Sequence, residues 1–187
     1  MQKILKNSVR IIGGKWRSRK IDFPSIEGLR PSPDRVRETL FNWLSTYVVH
    51  ARCLDLFAGS GALGFEALSR GAKEVVFVDS NKKSIEQIQK TQTLLNCQNM
   101  EIYWSNASQF LAKEHRPFDI IFLDPPFHQA LIIPHLQLII KNNLLTENGL
   151  AYLEAEIEFS EQQIPHAFEI VKHKTAGKVR YLLLQKS

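Results

Sequence analysis

At 187 residues, 44% hydrophobic and 23% charged, the chain suits one domain with a real core and a small appendage. No apolar run is long enough for a membrane span, residues 1–8 carry no signal-peptide pattern, and Cys53 and Cys97 form no CxxC pair. These features exclude a membrane helix and a cysteine-held zinc, and they predict a cytoplasmic, reducing setting with Cys53, inside an apolar strand pattern, as a buried free thiol. The net charge of +5 is unevenly placed: residues 1–37 hold ten Lys or Arg and three acids, giving +7, and the other 14 basic and 16 acidic residues give −2. A local excess of this size suits a phosphate backbone, with a solvated basic tail as the alternative.

In chain order, residues 9–22 predict a β-hairpin with Val9–Ile12 and Arg17–Asp22 as arms and Gly13-Gly14 as the turn. Basic residues interleaved with an aromatic make a candidate nucleic-acid surface from Arg10, Lys15, Trp16, Arg17, Arg19 and Lys20, to which Arg30 and Arg35 are added. The alternative is that Trp16 packs under the hairpin. Residues 23–33, with three prolines and Gly28, predict an irregular connector, so residues 1–33 are taken as a basic extension and 34–187 as the main domain. Ser32-Pro33 predicts a helix start with Ser32 as the cap, and the helical spacing runs to about residue 49. Arg35 and Arg37 in its first turn oppose the helix dipole, which hints that they face an anion, with solvated surface arginines as the alternative.

A strand over 52–57 runs into a glycine-rich turn at Asp55-Leu-Phe57-Ala-Gly59-Ser60-Gly61, and a helix follows to Arg70. The next strand, 74–79, ends in Asp79, a carboxylate placed for a ribose diol, with Ser80 behind it. A helix over 82–96, a strand over 100–104 and a helix opening at Asn106-Ala107 come next. The apolar run 118–124 predicts a buried parallel strand ending in Asp124. Pro125 and Pro126 then stop the ladder, and Phe127 follows with no core partner in the local pattern. A helix near 129–141, a strand at 149–154 and a terminal hairpin over 167–174 and 178–185 complete the chain. The alternation predicts a doubly wound, Rossmann-like, mostly parallel sheet with an antiparallel edge from the C-terminal hairpin. The tetrad 124–127 thus offers acceptors for an amino group and a flat face for a planar ring, just past a core strand. The bland reading is a strand, a tight turn and a core Phe.

Asp124-Pro-Pro-Phe127 resembles the Asp/Asn-Pro-Pro-aromatic tetrad of methyltransferases that modify an exocyclic or amide nitrogen, and residues 55–61 look like the Asp-x-Phe-x-Gly-x-Gly loop of S-adenosylmethionine enzymes. Arg10-Ile-Ile-Gly-Gly-Lys-Trp-Arg17, Gly28-Leu-Arg-Pro31, Asp34-Arg-Val-Arg-Glu-Thr-Leu-Phe-Asn-Trp-Leu44 and Gly177-Lys-Val-Arg-Tyr181 are similar to the RsmD family of bacterial small-subunit rRNA guanine-N2 methyltransferases. The resemblance covers nearly the whole chain. It implies S-adenosylmethionine as cofactor, held by Asp55, Phe57, Gly59, Ser60, Gly61, Asp79, Ser80, Asn106 and Ala107. Asn106 stands where related enzymes usually have an acid for the adenine amino group. It further implies catalysis by Asp124, Pro125, Pro126 and Phe127 without a metal. The implied substrate is 16S rRNA, in or near the 30S subunit, and the enzyme is expected to be a monomer. The alternatives are a DNA adenine-N6 or protein glutamine methyltransferase, a small-molecule methyltransferase, and a non-catalytic RNA-binding protein.

Overall fold

The computed structural model describes residues 7–25 and 31–187. The expectations for Gly28 and Arg30 lie outside these residues. Two strands open the described chain: β1 (Asn7–Arg10) pairs antiparallel with β2 (Lys20–Phe23). Helix α1 (Asp34–Trp43) leads into the alternating unit of β3 (Arg52–Asp55), α2 (Ala62–Ser69), β4 (Glu74–Asp79), α3 (Lys82–Leu95), β5 (Met100–Trp104), α4 (Ala107–Lys113), β6 (Phe118–Leu123) and α5 (Ile132–Lys141). The chain then runs through β7 (Leu145–Glu156), β8 (Phe168–Ala176) and β9 (Val179–Lys186).

Strands β3 to β9 form one seven-stranded sheet in the order β5-β4-β3-β6-β7-β9-β8. β3 to β7 pair parallel, and β9 runs antiparallel between β7 and β8. The sheet is therefore the Rossmann-like one expected. The antiparallel strand lies inside the sheet and β8 forms the edge. The order reverses between β3 and its neighbours β4 and β6, so ligands are expected at the carboxyl ends of these strands.

Strand residues alternate between two cores. Cys53, Val75, Phe77, Ile120, Phe122 and Tyr152 pack under α1, α2 and α3. Leu54, Val76, Val78, Ile121, Leu123 and Leu153 pack under α4 and α5. Burial on both faces explains the unbroken apolar runs of β4 and β6. Val9, Ile11 and Ile21 join the first core, so the N-terminal strand pair is seated on the main domain.

Several local expectations are corrected. The hairpin is present, but its loop is longer than the residues 13–16 left between the expected arms: β1 ends at Arg10 and β2 begins at Lys20, with a 3-10 turn at Gly14–Trp16 between them. The glycines serve a close approach to the end of α2, since a Cβ on Gly14 (φ +74°) would lie 1.8 Å from the Ser69 carbonyl oxygen. Helix α1 starts one residue later than expected, makes no side-chain cap at Pro33 and ends at Trp43. Strand β7 begins four residues early, at Leu145, and passes through a register irregularity opposite Phe118–Ile120. Asn148 is left-handed (φ +61°) within this strand, which continues past it. Among the described residues, no helix is long and apolar enough to cross a membrane.

Candidate active site

Four acids stand at or beside the carboxyl ends of β3, β4, β6 and β7: Asp55, Asp79, Asp124 and Glu154. The turn after β3 brings the first two together. Gly59 (φ +52°) and Gly61 (φ +76°) are left-handed, and Gly61 is the residue before α2. A Cβ on Gly61 would meet the Phe65 ring at 2.9 Å, so only glycine lets the loop turn this tightly into the helix. Asp55 accepts a hydrogen bond from the Gly64 N–H at 3.0 Å. Burial pushes its carboxyl up to about 7, against the lowering effect of that bond. Asp79 accepts from the Gly59 N–H and the Asn81 N–H, both at 2.7 Å. Burial raises its pKa, and the two backbone donors oppose the rise. Each Asp79 oxygen keeps a second lone pair for a ligand hydroxyl.

Of the remaining residues expected near a cofactor, Ser60 is buried in the loop and Ser80 is exposed, its carbonyl accepting from the Trp104 indole at 2.9 Å. Phe57 is half-buried and edge-on to His135, with ring centroids 5.2 Å apart. Asn106 is exposed, and its side-chain oxygen caps α4 by accepting from the Ser108 N–H at 2.9 Å, with Ala107 buried behind it. The oxygen expected to face an adenine thus has a structural use in this conformation. The closely approaching backbone at Gly59 and Gly61, the acid tips beside it and the open acceptor positions fit a nucleoside-bearing group such as S-adenosylmethionine. Among the described residues no cluster of His, Cys, Asp or Glu is arranged to hold a metal.

Asp124 follows β6 and is half-buried, Pro125 is buried, and Pro126 and Phe127 are exposed. Burial of its carboxyl, then the charges of Glu154 and Asp55, raise the Asp124 pKa well above the usual range. Ser32, expected to cap α1, instead turns its hydroxyl inward, where it lies 3.5 Å from Asp124 Oδ2 and donates closely to Glu154 Oε1. The cap position is taken by Pro33, whose side chain has no polar atom to offer the helix. Glu154 is 5% exposed and also accepts from the Tyr152 hydroxyl at 2.9 Å. Neither Ser32 nor Glu154 was among the candidate site residues. An acid ending an apolar strand was a readable signal for Glu154, the same one that marked Asp79. Ser32 had none, because its partners lie 92 and 122 residues away. Beyond the tetrad, His128 (φ +61°) donates its N–H to Glu156, which ties the loop to β7.

The basic candidates divide. Arg17, Arg19, Lys20 and Arg35 are exposed, and Arg19 also donates to the Leu94 carbonyl at 3.3 Å. Lys15 sits over the Trp16 ring at 4.1 Å. Trp16 itself is partly buried against the core, so packing under the strand pair describes it better than a free platform. Arg10 pairs with Asp34 at 3.0 Å. Arg37 does not face an external anion: it is 1% exposed and pairs with Asp34 at 2.6 Å and Glu66 at 3.4 Å. Its anion is built into the fold.

A family model described as conserved hypothetical protein 95 matches residues 9–185. The chain is 44% identical over 178 residues to ribosomal RNA small subunit methyltransferase D of Escherichia coli K12, covering 95% of this chain and 90% of that one. It is 45% identical over 184 residues to the protein of the same name in Haemophilus influenzae, covering 96% and 95%. The solved structure of the E. coli protein yhhF superposes with a TM-score of 0.89 at 43% identity, covering 97% of this chain and 99% of that one.

Proposed function

Because this chain belongs to the RsmD family, described as conserved hypothetical protein 95, we propose that it transfers a methyl group from S-adenosylmethionine to the exocyclic N2 of a guanine in 16S rRNA. The observation that carries the reading is the placement of Asp124-Pro125-Pro126-Phe127 at the tip of β6, next to the Asp55–Gly61 turn that follows the adjoining β3, with Asp79 at the tip of β4 one strand further on. Relatives of similar length named as small-subunit rRNA methyltransferases support the substrate class.

In this reading Asp79 takes the ribose hydroxyls and the Gly59–Gly61 backbone admits the cofactor closely. When bound, the cofactor supplies an activated methyl on a sulfonium centre. The chain's part is placement. Guanine N2 is a weak nucleophile because its lone pair is delocalised into the ring. Asp124 and the Pro125 carbonyl accept its N–H groups and turn the lone pair out of that conjugation, and Phe127 stacks on the base. The methylated nitrogen is cationic and releases a proton to the Asp124 side or to water, so a strong base is not required. The basic strand pair and Arg35 hold the RNA backbone, with the 30S subunit or an assembly intermediate as the setting.

Mapping the modified nucleotide in rRNA treated with the purified protein tests the substrate, and a product other than N2-methylguanosine overturns it. Asp124 is tested by single-turnover transfer. Asp124→Ala is expected to lose about 10²-fold or more with cofactor affinity unchanged, and Asp124→Asn to fall between it and wild type. Equal rates in all three folded proteins would remove Asp124 from the mechanism.

A further inference from the structure

We infer that Glu154 reads the target base: its carboxylate accepts the N1–H of guanine while Asp124 and the Pro125 carbonyl take the N2 amino group, and this second acceptor makes the site select guanine over adenine. The inference rests on the guanine-N2 reading above and assigns specificity within it.

The placement follows from strand register. β6 and β7 are parallel neighbours with Leu123 opposite Leu153, so the next residues lie side by side, Asp124 just past the end of β6 and Glu154 still within β7, where it pairs with Tyr181 of β9. Parallel strands lie about 4.8 Å apart, a spacing that suits two acceptors serving two adjacent donors on one base edge. The Ser32 hydroxyl lies between the two carboxylates. Glu154 Oε1 accepts from both Ser32 and Tyr152, and no hydrogen bond reaches Oε2 among the described residues. Glu154 also lines a cavity of about 340 Å³ together with Pro125, Pro126, Phe127 and Phe159. That cavity therefore has aromatic side chains for a flat ring and the Glu154 side chain among its lining.

Two acids side by side, Glu154 buried and Asp124 half-buried, are costly for folding alone, and such pairs mark sites where charge is used. Burial raises both pKa values, and the pair resists double ionisation. The two hydroxyls donating to Glu154 favour its ionised form, and Asp124 has an acceptor oxygen for the amine in either protonation state. The chemistry then discriminates. Guanine presents N1–H beside its N2 amine, two donors in a row. Adenine presents a lone pair at N1 beside its N6 amine. A tetrad that holds only an amino group accepts either base. A carboxylate facing N1 hydrogen-bonds guanine and repels the adenine lone pair, and a site built to satisfy a polar group rejects an analogue that leaves it unpaired.

The test replaces the guanine that wild type methylates, in the RNA or particle it accepts, with 2-aminopurine, which keeps the amine and turns N1 into an acceptor. Wild type should prefer guanine by about 10²-fold or more in single-turnover kcat/KM. Glu154→Gln keeps the size and an oxygen for Ser32 and Tyr152 and can turn an N–H towards N1. It should lose a comparable factor on guanine, gain on 2-aminopurine and so narrow or invert the preference, with cofactor affinity unchanged. A Gln variant that loses the same factor on both bases, or none on guanine, overturns the assignment. Wild type alone also decides it, whatever the variant's folding: equal rates on the two bases overturn it. A wild-type product other than N2-methylguanosine defeats the underlying reading instead, and product mapping tells the two failures apart.

Discussion

Asp55 shows how a single carboxylate links the glycine turn after β3 to stability. It is 3% exposed, it accepts a hydrogen bond from the Gly64 N–H, and burial lifts its pKa from 3.8 to about 7. A carboxyl whose folded pKa is raised binds its proton more tightly in the native state. Stability is therefore lost as pH rises through the window from about 4 to 7, and the loss is complete above the folded value. That rise corresponds to about 4 kcal/mol at about 1.36 kcal/mol per tenfold change in proton affinity. Asp55→Asn does not titrate. Denaturant unfolding from pH 4 to 8 should show the variant gaining on wild type up to about pH 7 and then keeping a constant lead. Parallel stability curves would show that Asp55 is ionised in the fold at little cost.

At the scale of elements, α2 does two jobs. Its N-terminus receives the glycine turn, and its buried Glu66 anchors the N-terminal segment. Glu66 is fully buried and accepts from the Ile12 N–H at 2.7 Å, the Gly13 N–H at 2.8 Å and Arg70 Nε at 2.7 Å, with Arg37 at 3.4 Å. Four donors satisfy one carboxylate, and Arg37 joins the bundle from α1. The segment after β1 is thus fastened to the helix that begins at the glycine turn. Glu66→Ala would leave the buried Arg37 with Asp34 as its remaining acid partner and two backbone donors without an acceptor. A loss of about 3–5 kcal/mol is expected, read as a lower midpoint in urea. A loss under about 1 kcal/mol would mean that water replaces Glu66 readily.

Across the whole molecule, charge and site are arranged together. The basic excess lies in residues 1–37, and the strand pair within it packs on the α1–α3 side of the sheet. In the proposed function, exposed Arg17, Arg19 and Lys20 hold phosphates while the strand tips hold the base. Reversing Arg17 and Arg19 to Glu should weaken RNA binding at all sequences and lower the slope of log affinity against log salt by about 1 for each phosphate no longer neutralised. Titrations at several salt concentrations measure this, with cofactor affinity unchanged. An unaltered slope would place the RNA path elsewhere, for example along Arg35 and Lys174, which line the groove between α1 and β8.

Much of this was determined by the sequence itself, because the signals are local. Strands β4 and β5 were readable to the residue from apolar runs and their polar ends. Asp55, Gly59, Gly61, Asp79 and the 124–127 tetrad were legible because each sits where a hydrophobic period stops. Only the tertiary structure decided what distant partners do. Gly13-Gly14 has turn chemistry, but its use is a close approach to Ser69, more than fifty residues on. Ser32 has cap chemistry, but the two carboxylates brought to it by β6 and β7 claim its hydroxyl. Arg37 reads as a cation waiting for an anion, and Glu66 on another helix supplies one. Glu154 becomes a neighbour of Asp124 only through strand register. Periodicity and turn composition act over a few residues and are written in the chain. The choice among partners for a hydroxyl, a guanidinium or a carboxylate depends on which strands lie side by side, and packing alone decides that.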